Sequence, residues 1–486
     1  MSARLSDLLK GIATIDPSRD ISVSGLSLDS RSIRSGDAFV ALRGGSTHGI
    51  TFAPSALARG ASIVLAEAPP PAALEGDAIW IDGLRANLGE IAARFFGHPS
   101  AALTMIGVTG TNGKTSIVQL VASALQNLGA NAATIGTLGA GFVGAIKEGA
   151  RTTPDVISVQ GLLAEFRDAG ASHVAMEVSS HALDQHRVDA VEFDVAVFTN
   201  LTRDHLDYHG TMENYGAAKQ KLFAWRNLRA AVINVDDAFG RQLADGLRDD
   251  VQQIRYAIDN AAEVRAEKVH SSDRGLEFTL ITPWGRTNIA TSLLGHFNVY
   301  NLLAVAGCLG ALGYDFAQIE SALTQLKPVA GRMNRLGGGD APLVVIDYAH
   351  TPDALEQALS SLRAHTSGQL ICVFGAGGER DQGKRPQMGA IAERLADRII
   401  VTDDNPRGEN GDEIVAQILA GLHQRDRANV QRDRNAAIRA AVCDAHAGDV
   451  VLIAGKGHEP YQEVAGVKHE FDDTLIARRA LESRPC

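Results

Sequence analysis

The sequence predicts an α/β protein built on parallel, doubly wound sheets and divided into about three domains at ordinary domain sizes. Three observations predict it. The chain has 486 residues. Short apolar strands alternate with helical patterns from Leu103 to Ile453, the order expected when each crossover between parallel strands is a helix. A Gly-rich turn, Gly110-Thr111-Asn112-Gly113-Lys114-Thr115, joins one such strand to a long helix. The 49 glycines suit many tight strand-to-helix turns.

The first domain is placed at residues 1–98, with apolar runs Ala38–Leu42 and Ala61–Ala66, a loop over Arg43–Gly49 and a rigid break at Pro69–Pro71. Gly97-His98-Pro99-Ser100 reads as a linker, because a residue before Pro tends to leave helix. The second domain, 99–331, opens on strand Leu103–Val108 and helix Ser116–Leu128. Buried strands are predicted at His173–Val178, Phe193–Phe198 and Ala230–Val235. Leu276–Ile281 and Thr287–Ala290 flank Pro283-Trp284-Gly285 as a hairpin, and a helix covers Val299–Leu312. The third domain, 332–486, has four short strands: Leu343–Ile346, Leu370–Phe374, Arg398–Val401 and Val450–Ile453. Helical patterns at Asp353–Arg363 and Arg385–Leu395 separate them. Each strand runs into a polar or Gly-rich loop: DYAHTP, GAGGERDQGKR, TDDNPR and AGKGHE. Ligands sit at the carboxyl ends of strands in open α/β sheets, so four such loops predict a binding crevice.

Net charge is −11, which argues against general binding to nucleic acid or anionic membrane, since both need a basic face. A local basic pocket for a small anion remains compatible with it. Four cysteines, Cys308, Cys372, Cys443 and Cys486, form no CxxC pair. That speaks against a disulfide framework or zinc site and for a reducing compartment. The N-terminus lacks an apolar signal region, and no apolar stretch is long enough to span a bilayer. A cytoplasmic protein without membrane insertion is expected.

The Gly-rich turn is the strongest chemical signal. Its glycines let backbone N–H groups approach phosphate oxygens, and the following helix start adds positive potential. Lys114 would neutralise the β- and γ-phosphates of ATP, the Thr115 hydroxyl would hold Mg²⁺, and Ser116 closes the loop. The pattern departs from the strict phosphate-loop rule, because Val108 stands where its first Gly belongs. The alternative is an ordinary Gly-rich turn. Glu177 ends a strand where a metal-ligating carboxylate would lie, yet a paired loop carboxylate fits as well. Asp204–His209 suits hard-metal or phosphate chemistry. Lys219, on the helix after it, would ordinarily be a solvated lysine.

GTNGKT, MEVSSHAL, TNLTRDHLDYHG, the helix carrying Ala217-Ala218-Lys219, HFNVYN, GRMNR, DYAHTP, GGERDQGKRP, DDNPR and GKGHE follow one another in this chain. In that order they resemble the motifs of the Mur ligases, from about Leu28 to Glu459. The resemblance is greatest to members that add meso-2,6-diaminopimelate to the D-glutamate γ-carboxyl of UDP-N-acetylmuramoyl-L-alanyl-D-glutamate in peptidoglycan precursor synthesis. It implies a UDP-sugar-binding N-terminal domain, a central P-loop ATPase-like parallel sheet and a Rossmann-like C-terminal amino-acid domain. It also implies ATP and Mg²⁺ as cofactors and an acyl-phosphate intermediate; a monomer is expected.

Residue by residue, the resemblance places Gly110–Ser116, Asn298, Arg332 and Asp347 at ATP. It places Thr115, Glu177, His205 and Lys219 around metal, with Lys219 carbamylated; Lys114, Glu177, His205 and Lys219 are the implied catalytic set. Leu28, Ser30, Gly45, Ser46, Thr47, Thr152, Thr153, Ser179, Gln185 and Arg187 would meet the nucleotide substrate. Arg187 is apt for an anion, because a guanidinium pairs carboxylate or phosphate bidentately; otherwise it is a surface ion pair. Arg380, Asp404, Asn405, Pro406, Arg407, Gly455 and Glu459 would form the amino-acid pocket. Arg407 would pair the distal carboxylate of diaminopimelate, the alternative being an ion pair with Asp403 or Asp404. Plain turn chemistry also explains Asn405-Pro406, Gly455 and Gly457. The rivals are a lysine-adding or folylpolyglutamate-type relative, a P-loop kinase, and a catalytically dead UDP-sugar binder.

Overall fold

The computed structural model describes residues 2–45, 47–71, 78–149 and 151–484. Ser46 and Cys486 lie outside the described residues. The chain divides into two compact units, one of residues 1–263 with 304–314 and one of residues 264–303 with 315–486.

In the first unit, strands Gly25–Ser27, Asp37–Ala41, Ile63–Glu67 and Ile79–Ile81 form a small parallel sheet in that order. Helix Leu84–Phe96 covers it and shares a core with it through Leu26, Val40, Leu65, Leu88 and Ile91. Gly97 ends the helix with φ +70°. The stretch read as a linker is ordered: Pro99–Ala102 forms a short 3-10 turn, and buried Ser100 accepts the Glu192 N–H at 3.1 Å.

The larger sheet of this unit has six parallel strands in the order Ala132–Gly136, His173–Glu177, Thr104–Thr109, Val195–Phe198, Ala230–Asn234, Gln252–Ala257. Hairpin strands Gly139–Phe142 and Ala145–Lys147 add antiparallel at one edge. Burial explains why Val195–Phe198 and Ala230–Asn234 read as unbroken apolar runs, whereas Gln252–Ala257 is partly exposed and polar. Strand Thr104–Thr109 lies between the two directions in which the chain winds outward, so its carboxyl end is the switch point where ligands bind. It leads through the Gly-rich turn into helix Lys114–Asn127, which begins two residues before the predicted Ser116. That helix anchors the turn by burying Ile117, Val118, Leu120, Val121 and Leu125, at about 1.5–3 kcal/mol each.

In the second unit, the predicted hairpin is Gly275–Thr282 paired with Gly285–Thr291. A third antiparallel strand, Val264–Ser272, joins it. Helix Phe297–Ala311 supplies residues to both units. The other sheet holds all four predicted strands, in the order Leu343–Asp347, Val450–Ala454, Leu370–Phe374, Arg398–Val401, all parallel. Two short edge strands, Asn334–Gly337 and Ala428–Val430, complete it. The chain reverses its winding between Leu370–Phe374 and Val450–Ala454, so the loops after these strands flank a second switch point. No helix among the described residues is long and apolar enough to cross a membrane.

Candidate active site

The Gly-rich turn is held by the loop after strand Val195–Phe198. Thr111 N–H donates to the Asn200 carbonyl at 2.8 Å and Asn112 N–H to Asn200 Oδ1 at 2.9 Å. The Asn112 carbonyl accepts from Thr199 Oγ1 at 2.6 Å and from Asn200 Nδ2 at 3.3 Å. A Cβ on Gly110, whose φ is +148°, would collide with Thr199 Oγ1. The N–H groups of Thr111 and Asn112 are therefore engaged. A phosphate would meet the N–H groups of Gly113, Lys114, Thr115 and Ser116, which precede the first intrahelical bond, Ile117 to Gly113. Helices starting at Val156, Ser180 and Met212 are capped by the side chains of Asp155, Ser179 and Thr211, whereas this one starts at Gly113 with no side-chain cap. Lys114 Nζ folds back onto the carbonyls of Gly110 at 2.9 Å and Thr111 at 2.8 Å.

Glu177 is buried beside the turn, because its strand pairs with Thr104–Thr109 in the register Glu177 to Val108. Its Oε2 accepts from Thr115 Oγ1 at 3.1 Å and its Oε1 from Thr137 N–H at 2.7 Å. Gly136 leaves room for the carboxylate; a Cβ there would collide with Glu177 Oε1. A hydroxyl and a carboxylate meeting at the head of a phosphate-binding helix are the oxygen donors a hard divalent ion takes. Among the described residues no group of three His, Cys, Asp or Glu side chains converges to hold a metal alone. A Mg²⁺ here would draw its other ligands from phosphate oxygens and water, as this ion ordinarily does.

Lys219 is not a solvated lysine. It is 1% exposed, its Nζ donates to the Gly110 carbonyl at 2.8 Å, and it lies 4.3 Å from the centroid of the Tyr215 ring. Burial, then the Lys114 charge, depress its pKa well below that of an ordinary lysine. An ammonium repels a metal ion, whereas a neutral amine here is a nucleophile that carbon dioxide would convert to a carboxylate-like carbamate. His205 also neighbours Tyr215, ring centroids 6.1 Å apart, with Nε2 3.4 Å from Asp204 and about half of its side chain exposed. His181 and His209 complete an aromatic cluster, His181 lying 4.8 Å from His205 and 5.4 Å from His209. Burial and the neighbouring imidazoles hold His181 below the usual histidine range.

Arg187 is not a surface ion pair. Its Nη1 donates to the Thr153 carbonyl at 3.1 Å, and its Nε and Nη2 donate to Gln185 Oε1 at 3.1 and 2.5 Å. Thr153 Oγ1 donates to the Glu177 carbonyl at 2.7 Å and accepts from Ser179 N–H, while Thr152 Oγ1 meets Thr137 Oγ1 at 3.1 Å. Thr152, Thr153, Ser179, Gln185 and Arg187 thus form one network leading to Glu177. Leu28 packs against the N-terminal core and Ser30 is nearly buried. Gly45 and Thr47 are exposed, and a Cβ on Gly45 would meet nothing within 4 Å.

In the second unit, both polar atoms of the buried Asn298 amide are engaged, Nδ2 to the Leu294 carbonyl and Oδ1 from Asn301, each at 2.7 Å. Asp347 accepts the N–H groups of Met333 and Ala349. Burial raises its pKa, opposed by the Arg332 charge. The Arg332 guanidinium lies 5.2 Å from the centre of the Tyr348 ring, and its buried Nε has no hydrogen-bond partner among the described residues.

The loops at the second switch point converge. Asn405 Nδ2 donates to Glu459 Oε2 at 2.9 Å, and the Asp404 carbonyl accepts from Gln462 at 2.8 Å. Gly455, at φ +117°, makes room for Asp404, whose Oδ2 would lie 2.5 Å from a Cβ there. Arg407 lies against the turn end of hairpin Tyr461–Val464/Val467–Glu470, its N–H donating to the Glu463 carbonyl and its carbonyl accepting the Ala465 N–H. Arg407 pairs with neither Asp403 nor Asp404. Its Nη1 donates to the Gly378 carbonyl at 2.7 Å and its Nε lies 3.4 Å from Glu463, while Asp403 is taken by Arg432 at 2.5 Å. Arg380 is exposed and donates to the neighbouring Glu379 carbonyl at 3.3 Å.

Several contributors carried no distinguishing signal in the sequence. Lys456 is fully buried among these loops, and the ion pair Arg434–Asp473 is fully buried beneath them. Tyr215 and His181 sit in the aromatic cluster around His205. Lys456 and His181 fall inside motifs already singled out, and that position was the only clue to them.

A phosphate-binding helix head at one sheet's switch point, with a buried carboxylate and amine beside it, defines a nucleotide-handling α/β protein. Family profiles agree and go further. "Mur ligase family, catalytic domain" matches residues 22–96, "Mur ligase middle domain" 108–309, and "Mur ligase, glutamate ligase domain" 331–457. A UDP-N-acetylmuramoyl-L-alanyl-D-glutamate–2,6-diaminopimelate ligase from Xanthomonas campestris pv. campestris is 60% identical, over 99% of this chain and 97% of its own. A solved structure of a protein with the same description is 37% identical, covers 99% of both chains and superposes with TM-score 0.74. A MurF ligase from Thermotoga maritima, solved in complex with ADP, shares the fold at 19% identity and TM-score 0.64, over 97% of this chain and all of its own. The chain belongs to the Mur ligase family, with that family's three-domain α/β architecture.

Proposed function

We propose that this chain is the ATP-dependent ligase that adds meso-2,6-diaminopimelate to the D-glutamate γ-carboxyl of UDP-N-acetylmuramoyl-L-alanyl-D-glutamate. The observation that carries the amino-acid assignment is the Arg407 loop, where a guanidinium, Asn405 and Glu459 are held together at a switch point. On this reading the enzyme works in the cytoplasm as a monomer, on peptidoglycan precursor, with no nucleic-acid partner. Residues 1–98, 99–331 and 332–486 serve the UDP-sugar, ATP and the amino acid in turn.

A carboxylate is a poor electrophile, and phosphorylation supplies the leaving group it lacks. The γ-carboxylate oxygen attacks the γ-phosphorus of ATP and ADP departs. The amine of diaminopimelate then attacks the acyl carbon, loses a proton, and phosphate leaves. Lys114 and the helix-head N–H groups oppose charge on the transferring phosphoryl group, and such preorganised donors are commonly the largest catalytic contribution. Mg²⁺ held by Thr115 and Glu177 would offset phosphate charge, with carbamylated Lys219 and His205 serving a second ion. Arg187, fixed by Gln185 and Thr153, presents positive charge to the anionic nucleotide substrate, which Leu28, Ser30 and residues 45–47 would hold at its far end. Asn298, Arg332 and Asp347 are assigned to ATP; Arg380, Asp404 and Gly455 complete the amino-acid pocket.

The test is a product assay with the nucleotide substrate, ATP and a panel of amino acids. Strictly amine-dependent phosphate release is expected; amine-independent release would instead mark a kinase or simple NTPase. Lysine lacks the distal carboxylate that Arg407 would pair. Because Glu463 already balances Arg407 in part, the preference for diaminopimelate over lysine is set by a charged hydrogen bond of about 1.5–3 kcal/mol, or roughly 10- to 150-fold. Arg407→Ala should lose most of that preference in kcat/KM. A wild type that prefers lysine, or an Arg407→Ala enzyme that keeps the preference, contradicts the assignment.

A further inference from the structure

Lys456, in the loop after strand Val450–Ala454, has its entire side chain removed from solvent. Its ammonium donates to Asn405 Oδ1 at 2.9 Å and to Glu459 Oε2 at 3.3 Å, and lies 4.0 Å from Asp404. An ammonium can only donate, so the atom it meets on Asn405 must be the amide oxygen. The Glu463 N–H reaches that same oxygen at 2.9 Å. Two donors on one side fix the orientation of the amide and turn its Nδ2 onto Glu459 Oε2. Both Lys456 and Asn405 thus grip Oε2 of Glu459, and Glu459 Oε1 makes no hydrogen bond among the described residues.

Resting on the function proposed above, we infer that Lys456 is a positioning residue for the incoming amino acid: it locks Asn405 and Glu459 so that Glu459 offers a single oriented oxygen, Oε1, to the substrate ammonium. Asn405 then serves the pocket through Glu459, because its carbonyl oxygen is already taken by Lys456 and Glu463. The ammonium also balances the carboxylates of Asp404 and Glu459, which would otherwise repel each other across the pocket. Without Lys456 the Asn405 amide is free to turn over and Glu459 to swing, and the binding of the amino acid suffers before the chemistry does. Glycines on either side of Lys456 let the chain bring it inward: Gly455 stands at φ +117° and Gly457 at φ +56°.

The test compares Lys456→Met, which keeps the volume and removes the donor, with Lys456→Gln, which restores one N–H donor. Both are measured for kcat and for KM of all three substrates, after thermal melts establish folding. A rise of about tenfold or more in KM for diaminopimelate is expected in Lys456→Met, as for loss of a charged hydrogen bond. KM for ATP and for the nucleotide substrate should stay within about twofold, well below that scale. Lys456→Gln should recover part of the loss, and should by itself show the same selective rise if the Met variant does not fold. An unchanged KM for diaminopimelate overturns the inference, and so does an equal rise in all three KM values. Unfolding of both variants assigns Lys456 to stability alone and overturns it too. Failure of the wild type to use diaminopimelate strikes the functional reading instead, and is visible before any variant is made.

Discussion

Two lysines share one acceptor, the Gly110 carbonyl, and they differ in exposure. Lys114 is partly exposed at the helix head, where positive charge would serve phosphate. Lys114→Ala should reduce turnover by about a hundredfold or more, the scale of losing one preorganised charge-stabilising donor, while thermal melts stay near wild type. A folded variant with normal turnover would remove the phosphate role. Lys219 is buried and its pKa is depressed by burial and by Lys114. Lys219→Ala should be almost inactive and partly rescued by formate or acetate, which supply oxygen donors; kcat against carboxylate concentration measures it. The depressed pKa also gives a pH signature. In the window between the lowered folded value and the ordinary lysine value, the unfolded chain binds a proton that the folded chain does not, so stability rises with pH there. In buffer free of carbon dioxide, wild type should gain on Lys219→Met in melting temperature as pH approaches the ordinary lysine range. A constant difference would mean that Lys219 is not depressed.

The elements that position the site were largely legible, and their exceptions have physical causes. Parallel strands buried on both faces announce themselves as apolar runs, so Leu370–Phe374 and Arg398–Val401 stand where the pattern puts them. Strand Val264–Ser272 escaped because the alternation in VRAEKVHSS breaks where Lys268 directly follows Glu267, at a bulge between Glu267 and His270. Asn334–Gly337 and Ala428–Val430 are too short to show a period. The phosphate helix gains its first two residues from the loop because Gly113, at φ +87°, starts it without a side-chain cap. Buried charges such as Lys456 and Arg434 are illegible in principle, since sequence alone does not bring their carboxylate partners together. Strand Ala132–Gly136 supports a prediction at this scale. Its last residue faces Glu177, so Gly136→Ala should push the carboxylate off Thr115. The expected result is a rise in the Mg²⁺ concentration for half-maximal activity, with a stability loss of about 1–3 kcal/mol from overpacking. An unchanged Mg²⁺ dependence would dissociate Glu177 from the metal.

At the scale of the molecule, two compact units predict that unfolding is not a single two-state event. Calorimetry should resolve two transitions, overlapping because helix Phe297–Ala311 supplies both units. The phosphate loop belongs to the first unit, so saturating ADP should raise that unit's transition by about 2.7 kcal/mol at a hundredfold excess over its dissociation constant. A first-unit transition that ADP leaves unmoved would contradict a phosphate site at that loop. Buried Cys308, its thiol pushed up to about 12, and buried Cys372 should resist alkylation in the folded protein, while exposed Cys443 reacts. The interlocking of Gly110–Asn112 with Thr199–Asn200 has a consequence for descent and for inhibition. Neither loop can drift alone, so a chimera that takes one of them from a distant relative should misfit unless the other travels with it. For the same reason, a compound that seats against this paired rim confronts a surface with few single-residue routes to resistance.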